Sequence, residues 1–205
     1  MAKLKLRLVE EEDAGAISEI YRNNLEAGVF TLDTESLQAG DVRAAIAVLR
    51  EFYPFLVCEM EGRVLGFAYA GRHAIHETFG RPSAALDFSA ALFLSVDPSA
   101  GGRGIGRALY DALEQLLRAM GVINLYSGVV APNPRAQHFH MAMGYMEAGK
   151  LYKTGFKGGR WRDYILFQKS LALHDASPAP IRPISALDEA KIIESLRHGD
   201  QFFRK

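Results

Sequence analysis

Gly101, Gly102, Gly104 and Gly106 span the junction of an apolar run that ends at Val96 and a helix-like pattern that begins near Arg103. A strand, a glycine-rich turn and a helix start, in that order, make a site for phosphate. The missing side chains let a ligand approach the backbone, and the helix aims unpaired N–H groups and its positive dipole end at that ligand. Arg103 and Arg107 add positive charge to the run Ser95-Val-Asp-Pro-Ser-Ala-Gly-Gly-Arg-Gly-Ile-Gly-Arg107. A nucleoside triphosphatase loop is excluded, because Gly106 is followed by Arg107 and Ala108 instead of Lys and Ser or Thr. A dinucleotide fold fits poorly too: the next strand, residues 125–130, ends in Ala131-Pro132-Asn133 with no carboxylate for a ribose.

A second group of polar residues follows in Asn133-Pro-Arg-Ala136-Gln-His-Phe139-His140-Met-Ala-Met-Gly144-Tyr145. Asn133 and Pro134 have the types of a helix cap and a first helical residue. His140 titrates near neutral pH and can give or take a proton. No metal site is expected: His138 and His140 face different ways on a helix, and His73 and His76 sit in an irregular segment without nearby partners. Cys58, the only cysteine, lies in an apolar strand pattern and reads as a buried structural thiol.

These residues need a scaffold, and 205 residues can bury one substantial core. Apolar residues make up 49% of the chain and its charges balance at 24 against 24, so neither disorder nor a nucleic-acid surface is expected. No window reaches membrane-spanning length, and the start alternates charge with leucine like a half-buried strand. One cysteine allows no intrachain disulfide, which points to a reduced cytoplasm.

The periodicity predicts a strand over 4–9 and a helix over 13–25 with Ile17, Ile20, Tyr21 and Leu25 on one face. A second helix carries Ala45, Ile46, Leu49 and Phe52, closed by Pro54. Strands over 55–60 and 64–70 meet at Glu61-Gly62-Arg63, and residues 72–83 show no clear period. A strand reaching Val96 precedes a helix over 103–120, with Leu109, Leu113, Leu116 and Leu117 inward and Gly121 at its end. After the 125–130 strand and the Asn133 helix comes a hairpin, 150–156 with 161–171, around Lys157-Gly-Gly-Arg160. Residues 175–183 read as a linker to an amphipathic helix over 187–197, which packs on the body or on a second subunit. A domain over 1–171 and a tail over 172–205 are therefore expected.

The glycine turn resembles the Gln/Arg-x-x-Gly-x-Gly/Ala loop of the Gcn5-related N-acetyltransferase superfamily, and the Asn133 segment resembles its Asn-x-x-Ala-x-x-Leu/Phe-Tyr-x-x-x-Gly-Phe/Tyr helix. Residues 55–70 and 155–163 are similar to the phosphinothricin acetyltransferase branch. The resemblance implies an α/β fold, a mixed and strongly bent sheet flanked by helices. It also implies an enzyme that moves an acetyl group from acetyl-CoA to the amine of a small amino-acid-like acceptor, such as phosphinothricin, methionine sulfone or methionine sulfoximine. An unrelated amine (antibiotic, polyamine or protein terminus) and a non-catalytic acyl-CoA-binding module are the rival readings. The family also implies a homodimer.

By that resemblance Gly102, Arg103, Gly104, Ile105, Gly106 and Arg107 hold the pyrophosphate of acetyl-CoA, while Leu94, Ser95 and Val96 pair with its pantetheine arm and Asn133 offers the arm a side-chain amide. His140 stands where many members place a tyrosine acid, either to move protons or to hold pantetheine. Val29-Phe-Thr-Leu-Asp-Thr-Glu35 resembles the family's Thr-Phe-Asp-Thr-Glu segment, which makes Glu35 the first candidate base, ahead of Asp33 and Asp87. Gly101 and Gly102 stand where the family has Gln or Arg, and Ala91 where some members carry a glutamate.

Overall fold

The computed structural model describes residues 3–28, 31–73, 77–78, 81–82 and 87–204, so Val29, Phe30, His76 and much of the 72–83 segment lie outside the described residues. The elements run β1 (Lys5–Leu8), α1 (Ala14–Glu26), α2 (Ala39–Leu49), β2 (Phe55–Met60), β3 (Arg63–Arg72), β4 (Glu77–Thr78), β5 (Arg81–Pro82), β6 (Ser89–Val96), α3 (Ile105–Met120), β7 (Asn124–Ala131), α4 (Pro134–Ala142), β8 (Met146–Lys157), β9 (Arg160–Ser170) and α5 (Glu189–Asp200). Seven strands form one sheet in the order β1-β2-β3-β6-β7-β9-β8, and β4 pairs with β5.

Each helix lies where its apolar stripe can be buried. The α3 residues Leu109, Leu113, Leu116 and Leu117 pack with Leu56, Leu92 and Leu125 on one sheet face. On the other face Ile17, Ile20 and Tyr21 of α1 meet Val42 and Ile46 of α2 over Phe55, Val57 and Phe67. The buried stripe of α2 is Val42 and Ile46; Ala45 is exposed, and Phe52 lies beyond the last helical turn. Cys58 is fully buried, and burial pushes its thiol up to about 12.

All sheet neighbours among the described residues are antiparallel except β6 and β7. Those two pair in parallel only from Ser89 opposite Asn124 to Ala91 opposite Tyr126. Beyond that point β6 stays on β3 as far as Val96 opposite Gly66, and β7 stays on β9 as far as Ala131 opposite Asp163. The sheet therefore divides into two halves, with a wedge between residues 92–96 and 127–131.

The tail is tied down more firmly than a flexible linker. Arg182 N–H donates to Met120 C=O at 2.9 Å and Ile184 N–H to Phe52 C=O at 2.8 Å. Helix α5 then crosses α3 at Gly199, where an added Cβ would lie 2.5 Å from the Ala108 carbonyl and 2.7 Å from Leu6.

Candidate functional site

The wedge has one open edge whose groups follow from the two-residue period of β6. Asp97 N–H donates to Leu65 C=O at 2.9 Å, so the odd-numbered residues turn their backbone toward β3. Leu92 C=O faces the other way and accepts from the Ser127 hydroxyl of β7 at 3.3 Å. The same period turns Leu94 and the Val96 N–H into the wedge, where β7 no longer pairs with them. Ser95, expected on that edge, instead faces β3; its hydroxyl accepts from the Asn24 amide of α1 at 3.1 Å, and the same amide donates to Val96 C=O at 2.9 Å.

The glycine turn closes the mouth of the wedge. Asp97 accepts from Ser99 N–H at 2.8 Å and from Arg63 at 2.9 Å, which shapes a short 3₁₀ turn before the glycines. Gly102 and Gly104 then take φ of 83° and 81°, a region that side chains disfavour. Gly104 is the N-cap of α3 and offers no side-chain cap, which leaves the first N–H groups of that helix for a ligand. An added Cβ on Gly104 would lie 2.0 Å from the Phe202 carbonyl, so the space this glycine clears is filled by the tail. The Arg103 side chain reaches Met60 and Arg107 lies over the Phe202 ring, 4.4 Å from its centroid. Arg135, from the start of α4, brings its guanidinium beside Gly101, 3.3 Å from where a Cβ would stand. It carries charge to the corner where Gly101 replaces Gln or Arg.

At the apex of the wedge sits a buried polar group that no single motif announces. His140 Nδ1 lies 2.8 Å from Ala136 C=O, an acceptor only, so Nδ1 carries the hydrogen and Nε2 the lone pair. Ser127 Oγ is 2.9 Å from Nε2, and the Tyr110 hydroxyl is 3.0 Å from Ser127 Oγ and 3.3 Å from Nε2. The hydrogens of two hydroxyls are thus shared among Nε2, Ser127 Oγ and Leu92 C=O. Burial lowers the affinity of the His140 ring for a proton, and the ring is only 6% exposed. In sequence Ser127 shows only as a small hydroxyl beside Tyr126 in a strand, and Tyr110 as one more member of the inward face of α3. Arg135 had no signal beyond its place two residues after the helix cap.

Asn133 caps α4 by accepting Ala136 N–H at 3.1 Å. The 31–37 segment lies across the β8–β9 hairpin: Leu32 fills the space a Gly155 side chain would need, and Lys157 donates to Thr31 C=O at 2.8 Å. Asp33 accepts from the hydroxyls of Tyr21 and Thr31, whereas Glu35 is exposed with no partner among the described residues. Asp87 is engaged by Arg72. Tyr145 is core, while Trp161 is 61% exposed. Among the described residues no group of His, Cys, Asp and Glu could hold a metal ion.

The acetyltransferase (GNAT) family model matches residues 17–145. The phosphinothricin N-acetyltransferase of Alcaligenes faecalis is 32% identical over 84% of this chain and 85% of its own length. The L-methionine sulfoximine/L-methionine sulfone acetyltransferase of Salmonella typhimurium is 27% identical over 86% of this chain and 99% of its own. Among solved structures, a GNAT superfamily phosphinothricin acetyltransferase from Sinorhizobium meliloti, in complex with acetyl-CoA, superposes with a TM-score of 0.78 at 29% identity, over 86% of this chain and 94% of that one.

Proposed function

The chain belongs to the GNAT acetyltransferase family, and from that premise we propose that it acetylates the primary amine of a small amino-acid-like acceptor of the phosphinothricin, methionine sulfone or methionine sulfoximine type. Acetyl-CoA supplies the activated acetyl group. One observation carries the donor side: an unpaired edge of β6 leads along the wedge to an uncapped helix start at Gly104. In this reading the N–H groups of residues 102–107 receive the diphosphate, with Arg135 beside them. The Leu94 backbone and Val96 N–H pair with the amides of the pantetheine arm, and Asn133 meets the same arm.

The reacting amine must be neutral, and the departing thiolate, with a reference pKa of about 8.5, gains from a proton donor. His140 acts at the apex through the Ser127 hydroxyl, which stands where β6 and β7 part. Asp33 is spent on anchoring its segment to Tyr21, so Glu35 is the carboxylate assigned to the amine proton. The stacked rings of Phe93 and Tyr69 line the sheet face next to Ala91 and give the acceptor an apolar wall, which favours an uncharged amine.

The reading includes a homodimer. Leu151, Tyr152, Phe156 and Trp161 of the β8–β9 hairpin are each more than half exposed, and the paired rings of Phe156 and Trp161 offer apolar surface suited to a second copy. Light scattering on the purified protein measures the subunit number. A cytoplasmic setting suits the single buried thiol.

The test is to mix protein and acetyl-CoA with phosphinothricin, methionine sulfone, methionine sulfoximine, ordinary amino acids, a polyamine and an aminoglycoside, and to follow thiol release. Turnover confined to the first three supports the reading. Turnover with another amine alone replaces the acceptor, and acetyl-CoA binding with no turnover on any amine leaves a binding module.

A further inference from the structure

The tail meets the glycine turn through backbone as well as side chain. Arg204 N–H donates to Arg103 C=O at 2.9 Å, the Phe202 carbonyl sits against the bare Cα of Gly104, and the Phe202 ring lies under the Arg107 guanidinium. The approach is possible because α5 crosses α3 closely at Gly199 and so delivers residues 202–204 to the start of α3.

Which side of the turn the tail takes decides what it does. In a trans peptide the C=O of one residue and the N–H of the next point in opposite directions. Arg103 C=O points at the tail, so Gly104 N–H points away from it. Among the described residues no group of the tail accepts a hydrogen bond from the N–H of residues 102–107. At this peptide the tail holds the carbonyl side, and the Gly104 N–H stays free of it.

We propose that residues 202–204 are a buttress for the glycine turn: Arg204 N–H and the Phe202 backbone hold a stretch with four glycines in its anion-binding shape and thereby set the affinity for acetyl-CoA. The inference rests on the reading of this turn as the diphosphate site. A glycine-rich turn has many backbone shapes to lose when it orders around a ligand, and a turn already held in place loses fewer. This chain has Gly101 and Gly102 where the family has longer residues, so it is the kind of turn that gains from an external support. Phe202 and Arg204 are positioning residues here, because they act through the turn.

The test compares Arg204→Pro, which removes the N–H, with Arg204→Ala, which keeps it, by calorimetric titration with acetyl-CoA and by steady-state kinetics. Arg204→Pro weakens acetyl-CoA binding about fivefold, the loss expected for one hydrogen bond, and raises the acetyl-CoA KM to match. Its kcat at saturating acetyl-CoA and its acceptor KM stay at the wild-type values, its unliganded Tm falls by about 2–4 °C at most, as loss of one hydrogen bond requires, and Arg204→Ala binds like wild type. Phe202→Ala weakens binding in the same direction. Equal affinity in Arg204→Pro and Arg204→Ala overturns the buttress. Tighter binding by Arg204→Pro also overturns it and makes the tail an obstruction. A wild-type protein that binds no acetyl-CoA defeats the reading of the turn itself, an outcome separate from either.

Discussion

His140 Nε2 lies 2.9 Å from Ser127 Oγ, on the strand that leaves β6 one residue after Tyr126. The imidazole is thereby coupled to the point where the sheet opens without being exposed there. Changing His140 to Ala should lower kcat by about 10²-fold or more, the scale of general acid–base help, while the Kd for acetyl-CoA stays within about threefold. Ser127→Ala should show the same split in milder form. Equal losses in rate and affinity would assign the ring to holding pantetheine.

The same burial makes stability depend on pH. The native His140 protonates below the ordinary histidine value, whereas in the unfolded chain it does so near 6.5. Above about 6.5 both states are neutral and the group is silent. As pH falls from there toward the native pKa, the unfolded chain takes up the proton first, so stability declines with pH and levels off below the native value. His140→Gln removes this component. Its urea midpoint should therefore drop less than that of wild type between about pH 7.5 and pH 5.5; a drop as large as wild type's would mean that the ring is not desolvated as described.

Asn133 offers a clean separation of two roles. Serine caps a helix as well as asparagine does, so Asn133→Ser should stay within about 0.5 kcal/mol of wild-type stability. It lacks the amide group that would meet pantetheine, and acetyl-CoA affinity should fall. Unchanged affinity in calorimetry leaves Asn133 as a cap and nothing more.

The two carboxylates of the 31–37 segment should differ in kind. Glu35→Gln should lower kcat with the acceptor KM little changed. Asp33→Asn weakens the link to Tyr21 and should mainly raise the acceptor KM. A Glu35→Gln enzyme with full kcat moves the proton-accepting role to a water chain.

Gly199 is the hinge of tail packing. A valine there meets the Ala108 carbonyl, the Leu6 side chain and the Ala112 methyl, an overpacking that costs about 1–3 kcal/mol. Gly199→Val should lower the Tm and speed tryptic cleavage after Arg197, which lies on the same helix. A tail as resistant to trypsin as wild type would mean that the crossing tolerates the larger residue.

Much of this molecule was legible because local pattern and tertiary need agree. The leucines of α3, the strand over 55–60 and the Asn133–Pro134 start each have a period or a cap that packing then uses. The misses are tertiary. Ala45 has helical spacing with Ile46 and Leu49 but lies outside the buried stripe, which period alone does not reveal. Ser95 has the right position in sequence for the open edge, yet the β3 register turns it away. Gly104 has the local pattern of a ligand turn, and the structure gives it a second neighbour, Phe202, from a distant segment of the chain. Arg135 and Ser127 gain meaning only when β6, β7 and α4 come together.

The burial of Cys58 has a practical outcome for enzymology. Its raised proton affinity and lack of solvent access keep it from reacting with disulfide dyes, so the colour from liberated coenzyme rises from a flat protein baseline. A cysteine introduced at Leu173, which is 93% exposed, would be the one addressable label on the folded enzyme.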